Sequence, residues 1–203
     1  MYLSRLRLNQ LDKKVQQMLA DPYRQHQAVM LAFPSGDKSR VLYRIEPENQ
    51  HGTNTWLVQS ESIPDWEKPG IKNDLPLVGW EMKEFEPTFV EGRQYRFRLR
   101  ANPTVKRDGK RWAIKGEEGL SDWLNRKFSD CGSELEGRII IPEGQVQGSR
   151  RTRDGSKKRL TFMSVRFEGM LTVLDPAQFV QLVNSGVGSG KAFGFGLLSL
   201  AKA

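Results

Sequence analysis

The chain has 203 residues with 32 Lys and Arg against 24 Asp and Glu, a formal net charge of +8, and its length suits one large or two small domains. The start, Met1-Tyr2-Leu3-Ser4-Arg5, is not a signal peptide, and no apolar run approaches the ~20 residues of a membrane span, so a cytoplasmic protein without a membrane partner is expected. One cysteine, Cys131, excludes an intramolecular disulfide and any Cys-based zinc site.

Tyr2 to Leu8 reads as a strand. Asp21-Pro22 follows as an N-cap with proline at the first helical position, starting a helix that runs to about Phe33, where Pro34-Ser35-Gly36 ends it. Val41 to Ile45 and Thr55 to Gln59 pair around Asn49-Gln50-His51-Gly52. After a Pro- and Gly-rich stretch from Pro64 to Gly79, Trp80 to Phe85 supplies a fourth strand, and the order βαββ(α)β is ferredoxin-like. A boundary over Pro87 to Gly92 leads to Tyr95-Arg96-Phe97-Arg98-Leu99-Arg100. Period-two alternation there puts Tyr95, Phe97 and Leu99 on a buried face and Arg96, Arg98 and Arg100 on the other. A helix over Gly119 to Phe128 has Leu120, Trp123, Leu124 and Phe128 at helical spacing. Strands are expected over Leu135 to Ile141, Leu160 to Phe167 and Met170 to Leu174, then a helix from Asp175-Pro176 through Val183 and a closing strand from Ala192 to Leu200. The chain is therefore read as α+β, two tandem ferredoxin-like (RRM-like) βαββαβ domains over residues 1–89 and 90–203.

The run Gly186-Val187-Gly188-Ser189-Gly190-Lys191-Ala192-Phe193-Gly194-Phe195-Gly196 holds five glycines and a lysine in eleven residues. Without a Cβ, glycine lets a ligand approach the main chain and lets successive amides point at an anion, so Gly186, Gly188, Gly190 and Lys191 are read as phosphate-contacting. A P-loop would need another glycine in place of Ser185 and Ser or Thr in place of Ala192. A dinucleotide fingerprint would have to open a helix, and seven residues remain after Gly196. A polymer of phosphates is left, and charge supports it. Residues 1–89 hold 11 Lys and Arg and 12 Asp and Glu, whereas residues 90–203 hold 21 and 12. Arg93 to Arg111 carries eight basic residues against one acid, and Arg150 to Arg159 carries six against one. Such clusters attract nucleic acid through counterion release, although a basic face can also serve solubility alone. The turn signal Asp154-Gly155 makes the second cluster a hairpin tip that projects Arg150, Arg151, Arg153, Lys157, Lys158 and Arg159.

Candidates for chemistry are few, because the chain has two histidines. His51 sits in a turn and is expected to be exposed. His26 lies on the first helix three residues after Tyr23, so both project from one side. A histidine near neutral pKa exchanges protons with a ribose 2′-OH or a leaving 5′-oxygen, and a tyrosine can orient or share that work. The competing reading is a core histidine, since Val29, Met30 and Phe33 share that face. No His-Glu-x-x-His, Cys pair or dense carboxylate cluster suggests a metal site, so no metal and no cofactor is expected. With one usable histidine the expected reaction is attack of a 2′-OH on the adjacent phosphate. The alternative is a non-catalytic RRM-like RNA-binding protein that stacks bases on Phe193 and Phe195, although Ala192, Gly196 and Leu198 depart from that motif. A scaffold that binds only protein would leave both basic clusters unexplained.

Met1-Tyr2-Leu3-Ser4, Asp21-Pro22-Tyr23-Arg24-Gln25-His26, the strand from Tyr95 through Arg100-Ala101-Asn102-Pro103, Phe167-Glu168-Gly169 and the glycine run through Leu200 resemble, from end to end, the CasE family. These are the CRISPR repeat-processing endoribonucleases of type I-E Cascade. The resemblance implies tandem ferredoxin-like domains, metal-independent cleavage at the 3′ base of the repeat stem-loop RNA, and retention of the product with the other Cascade subunits by a chain that is a monomer when isolated. It puts the catalytic histidine on His26, its accompanying tyrosine on Tyr23 and the stem-binding basic hairpin on Arg150 to Arg159. Some members carry a lysine later in the first helix, where this chain reads Met30-Leu31-Ala32.

Overall fold

Alternation along the first strand, β1 (Tyr2–Asn9), buries Ser4, Leu6 and Leu8 and leaves Arg5 and Arg7 in solvent, paired with Glu81. The computed structural model in which this strand is seen describes residues 1–46, 53–69, 71, 75–151 and 155–203. β1 is followed by α1 (Lys13–Leu19), α2 (Pro22–Met30), β2 (Val41–Ile45), β3 (Thr53–Ser60) and β4 (Leu77–Glu84). The strands form one antiparallel sheet in the order β2-β3-β1-β4. One face carries Leu6, Leu8, Tyr43, Trp56 and Val58, which pack with Val15 of α1, Val29 of α2 and Phe33 into a single apolar cluster. α1 has no counterpart among the expected elements. Its seven residues bury only Val15 and Met18, too short a pattern to register, and the Asp12 carboxylate caps it by accepting from the amides of Lys14 and Val15.

The second sheet begins with β5 (Gln94–Ala101), where Tyr95, Phe97 and Leu99 are buried as the alternation predicts. A two-stranded ribbon, β6 (Thr104–Arg107) and β7 (Lys110–Ala113), is inserted before α3 (Glu117–Ser129). Then come β8 (Ser133–Arg151), β9 (Lys157–Val173), α4 (Pro176–Ser185), a 3₁₀ turn over Lys191–Phe193 and β10 (Leu198–Lys202), with sheet order β10-β5-β9-β8. In both sheets the first and third strands of the βαββαβ unit are central neighbours, which is the ferredoxin-like arrangement, twice over.

Three expectations are corrected. The closing strand starts at Leu198 instead of Ala192, because Gly194 and Gly196 hold φ of 81° and 89°, which extended backbone does not allow. The two strands expected over 160–174 are one, β9, running from Lys157. At Gly169 of that strand a Cβ would stand 2.0 Å from the Gly137 carbonyl oxygen of β8, so the glycine marks a close backbone approach and not a strand end. Finally, most of the segment expected as a hairpin tip is itself strand, since β8 reaches Arg151 and β9 begins at Lys157.

The chain divides into two compact units. One is residues 1–86 with 147–161 and 192–194, and the other is 87–146, 162–191 and 195–203. The distal part of the β8–β9 hairpin and the tripeptide Ala192–Gly194 thus belong with the first sheet and α2, although the chain reaches them from the second sheet.

Candidate active site and nucleic-acid interface

α2 starts where the sequence places it. The Asp21 carboxylate accepts from the Tyr23 amide at 2.9 Å, and Pro22 fills the first turn, where no amide partner is needed. Pro22, Gln25, Ala28 and Val29 are buried, while Tyr23 and His26 lie half-buried one turn apart beside that stripe. Gln25 donates to the Leu19 carbonyl oxygen at 2.8 Å, which ties α2 to the end of α1. The His26 ring faces the Phe193 ring at a centroid distance of 6.2 Å. Burial there pushes the imidazole pKa below its ordinary value, so the neutral, proton-accepting form is favoured near pH 7. His26 is thus at the margin of the core, half-buried and not enclosed.

Two residues that sequence reasoning passed over build this site. Tyr43 of β2 is buried, stacks on Trp56 at 5.9 Å, and points its hydroxyl at the carbonyl oxygens of Pro22 (3.4 Å) and Ala192 (3.3 Å). It spans the first turn of α2 and the segment that carries Phe193. Gly194, with φ of 81°, completes the fit, because a Cβ there would come within 3.1 Å of the Tyr43 ring. Gly148 of β8 lies against the cap itself: a Cβ would stand 2.9 Å from Asp21 Oδ1 and 3.1 Å from Pro22 Cδ. The basic hairpin therefore runs past the N-terminus of α2 within one compact unit. Tyr43 reads in sequence as one more apolar strand residue, and Gly148 as one more turn glycine, so neither carried a signal.

Of the hairpin cations, Lys158 and Arg159 are exposed, and Arg159 donates to the Gln147 side chain. The backbone of Arg150 and Arg151 lies in β8 and that of Lys157 in β9. Arg153 and His51 lie outside the described residues.

The arginines of β5 differ among themselves. Arg96 is exposed, whereas Arg98 pairs with Glu168 at 3.0 Å and Arg100 with Glu143 at 2.7 Å. Burial works against the charge of Glu143, yet hydrogen bonds from Ser164 and Arg100 and the charges of Arg100 and Arg166 outweigh it and hold its carboxyl below the usual range. Arg98 and Arg100 thus form part of a protein network, and Arg96 is the one turned to solvent.

The glycine loop is shaped by its own unit. Gly186, Gly188 and Gly190 all have positive φ. A Cβ on Gly188 would meet the Trp123 ring at 2.9 Å, and one on Gly190 would meet Phe195 at 3.1 Å. The Lys191 ammonium donates to the Ser185 carbonyl oxygen at 2.7 Å. The Asn102 side-chain amide donates to the Ser189 hydroxyl at 3.1 Å, and that hydroxyl donates to the Asn102 carbonyl oxygen at the same distance, so the Asn102-Pro103 pair and the glycine loop form one bonded structure. Phe195 is fully buried against Phe162 with the Arg100 guanidinium over its ring, and so has no face for a base. Among the described residues no group of three or more His, Cys, Asp and Glu is placed to hold a metal ion, and no helix is long and apolar enough to cross a membrane.

A family model described as CRISPR associated protein matches residues 1–202. The CRISPR-associated endoribonuclease Cse3 of Thermus thermophilus is 36% identical over 99% of this chain and 100% of its own length. The CRISPR system Cascade subunit CasE of Escherichia coli K12 is 30% identical over 89% of this chain and 92% of its own. The structure of Thermus thermophilus Cse3 bound to an RNA representing a pre-cleavage complex superposes with a TM-score of 0.82 at 32% identity, covering 98% of both chains. With the tandem fold, the Asn102–Ser189 junction and the α2 site in place along its whole length, the chain belongs to the CRISPR-associated protein family that contains Cse3 and CasE.

Proposed function

We propose that the protein is a metal-independent endoribonuclease that cleaves CRISPR precursor RNA at the 3′ base of the repeat stem-loop and keeps the product within Cascade, in the cytoplasm. The observation that carries this reading is His26: half-buried, favoured in its uncharged form by that burial, and placed on a capped helix in the same unit as the distal basic hairpin. Full-length similarity to an endoribonuclease and to a Cascade subunit supports the substrate and the assembly. In this reading residues 1–89 of the sequence supply His26 and Tyr23, and residues 90–203 supply Arg96, the arginines and lysines of the hairpin, and the glycine loop.

The chemistry balances without water or metal. The ribose 2′-oxygen gives up its proton and attacks the adjacent phosphorus, the P–O5′ bond breaks, and the leaving 5′-oxygen takes a proton. Products are a 2′,3′-cyclic phosphate and a 5′-hydroxyl. His26 moves one of these protons and Tyr23 orients the reacting groups. An RNA stem-loop with one 2′-deoxyribose immediately upstream of the scissile phosphate tests the nucleophile: it should bind like the all-ribose RNA and stay intact. Cleavage of that RNA at the same bond would refute the mechanism.

A further inference from the structure

The β6–β7 ribbon stands outside both sheets, and the site described above makes no use of it. Its turn, Asp108-Gly109, has positive φ at both residues (49° and 73°), the geometry of a tight two-residue hairpin. Four of its ten residues, Lys106, Arg107, Lys110 and Arg111, are cationic and exposed. They face each other in like-charge pairs, Lys106 opposite Arg111 and Arg107 opposite Lys110. Directly opposed like charges destabilise a strand pair, and a lone two-stranded ribbon has little stability to lose. Among the described residues none of the four forms an ion pair. An anionic partner would relieve the repulsion.

The ribbon also presents an aromatic surface. Trp112 is 57% exposed, opposite Val105, and strand alternation puts its ring on the same side as Arg107 and Lys110. A large exposed indole with two cations beside it matches a base and its flanking phosphates. A rigid duplex keeps its bases stacked inside and cannot offer one, whereas single-stranded RNA can.

The root of the ribbon is fixed while its tip is in solvent. Ser189 bonds Asn102 and shares a hydrogen bond with the Thr104 hydroxyl at 3.1 Å, the Met163 amide donates to Asn102 Oδ1 at 3.0 Å, and the Ile114 amide donates to the Pro103 carbonyl oxygen at 3.1 Å. The ribbon is thereby seated on the glycine loop of its own unit.

We infer that the β6–β7 ribbon binds single-stranded RNA next to the repeat stem, stacking an unpaired base on Trp112 and holding its flanking phosphates with Arg107 and Lys110 on the same face, while Lys106 and Arg111 on the opposite face add to the positive field that attracts the strand. This rests on the RNA-processing reading for its substrate. The test uses the full chain and two RNAs, a bare repeat stem-loop and the same stem-loop with a single-stranded extension of about ten nucleotides on its 5′ or its 3′ side. The intact protein should bind one of the extended RNAs more tightly than the bare stem-loop. Trp112→Ala should reduce that gain by about 5- to 150-fold, and Trp112→Phe should restore most of it. Replacing Lys106, Arg107, Lys110 and Arg111 together by alanine should abolish the gain and lower its salt slope by roughly 0.7 for each phosphate released. The inference is overturned if neither extension tightens binding, if the gain survives these substitutions, or if bare and extended RNAs lose affinity equally, which would put the ribbon on the stem. Cleavage of the bare stem-loop by the intact protein is scored in the same samples, so failure of the RNA-processing reading is seen separately.

Discussion

At His26 a position on the margin of the core and the proposed reactive one coincide, and pH separates them. Burial lowers the imidazole pKa from its ordinary value near 6.5, so the unfolded chain takes up the proton first as pH falls. Between the two values the unfolded state binds more protons, so native stability is full above the ordinary value and declines as pH drops through it toward the lowered one. His26→Ala should remove that acid-side decline, as measured by denaturation at a series of pH values. The same variant should slow single-turnover cleavage by about 10²- to 10⁴-fold while leaving stem-loop binding close to unchanged. If His26 is the base, kcat/KM of the intact protein, which reports free-enzyme ionisations, should fall on the acid side with a midpoint below 6.5. Tyr23→Phe keeps the ring and removes the hydroxyl, so a rate loss without a stability loss would show that the phenol takes part. An unchanged rate in a stable His26→Ala protein would leave α2 a purely structural helix.

At the scale of elements, two glycines act in different ways. Gly148 carries no positive φ, so a side chain there strains nothing by itself; its Cβ would displace the Asp21 carboxylate from the Tyr23 amide or push the hairpin away from α2. Loss of such a cap costs about 1 kcal/mol. Gly148→Val should slow cleavage while leaving the salt dependence of RNA binding intact, since no cation is removed. A wild-type rate would show that hairpin and helix work independently. Gly188, with φ of 81° and Trp123 against it, is demanded by folding, and Gly188→Val should destabilise the second unit by about 1–3 kcal/mol in a thermal melt. These cases also show what the sequence could tell. β1, α2, β5, α3 and α4 were legible because each has an N-cap, a period or both. The ribbon was not, since eight of its ten residues are exposed and it has no apolar alternation, and β10 was overextended because the glycines read as part of an apolar run. For the site, His26 and Tyr23 were legible as candidates from helical spacing. Tyr43 and Gly148 were not, because their partners, Ala192 and Asp21, are more than a hundred residues away in the chain.

Over the whole molecule the charge is divided, with the excess of cations in residues 90–203 and the candidate histidine at position 26. The long β8–β9 hairpin joins the two, because its distal part belongs to the compact unit that holds α2. On the proposed reading binding and chemistry come from different halves of the sequence, and RNA affinity should fall steeply with salt whether or not His26 is present. Central to the proposed reaction is that the RNA supplies the nucleophile and a protein side chain, not a metal ion, moves the proton. Single-turnover cleavage of labelled repeat stem-loop RNA in excess EDTA, by the intact protein and by His26→Ala side by side, measures it directly. The intact protein should cut once at the 3′ base of the stem and leave a 2′,3′-cyclic phosphate, and His26→Ala should bind the RNA and cut it at least a hundredfold more slowly. Cleavage that vanishes in EDTA and returns with Mg²⁺ or Mn²⁺, or that proceeds equally well without His26, would contradict the account.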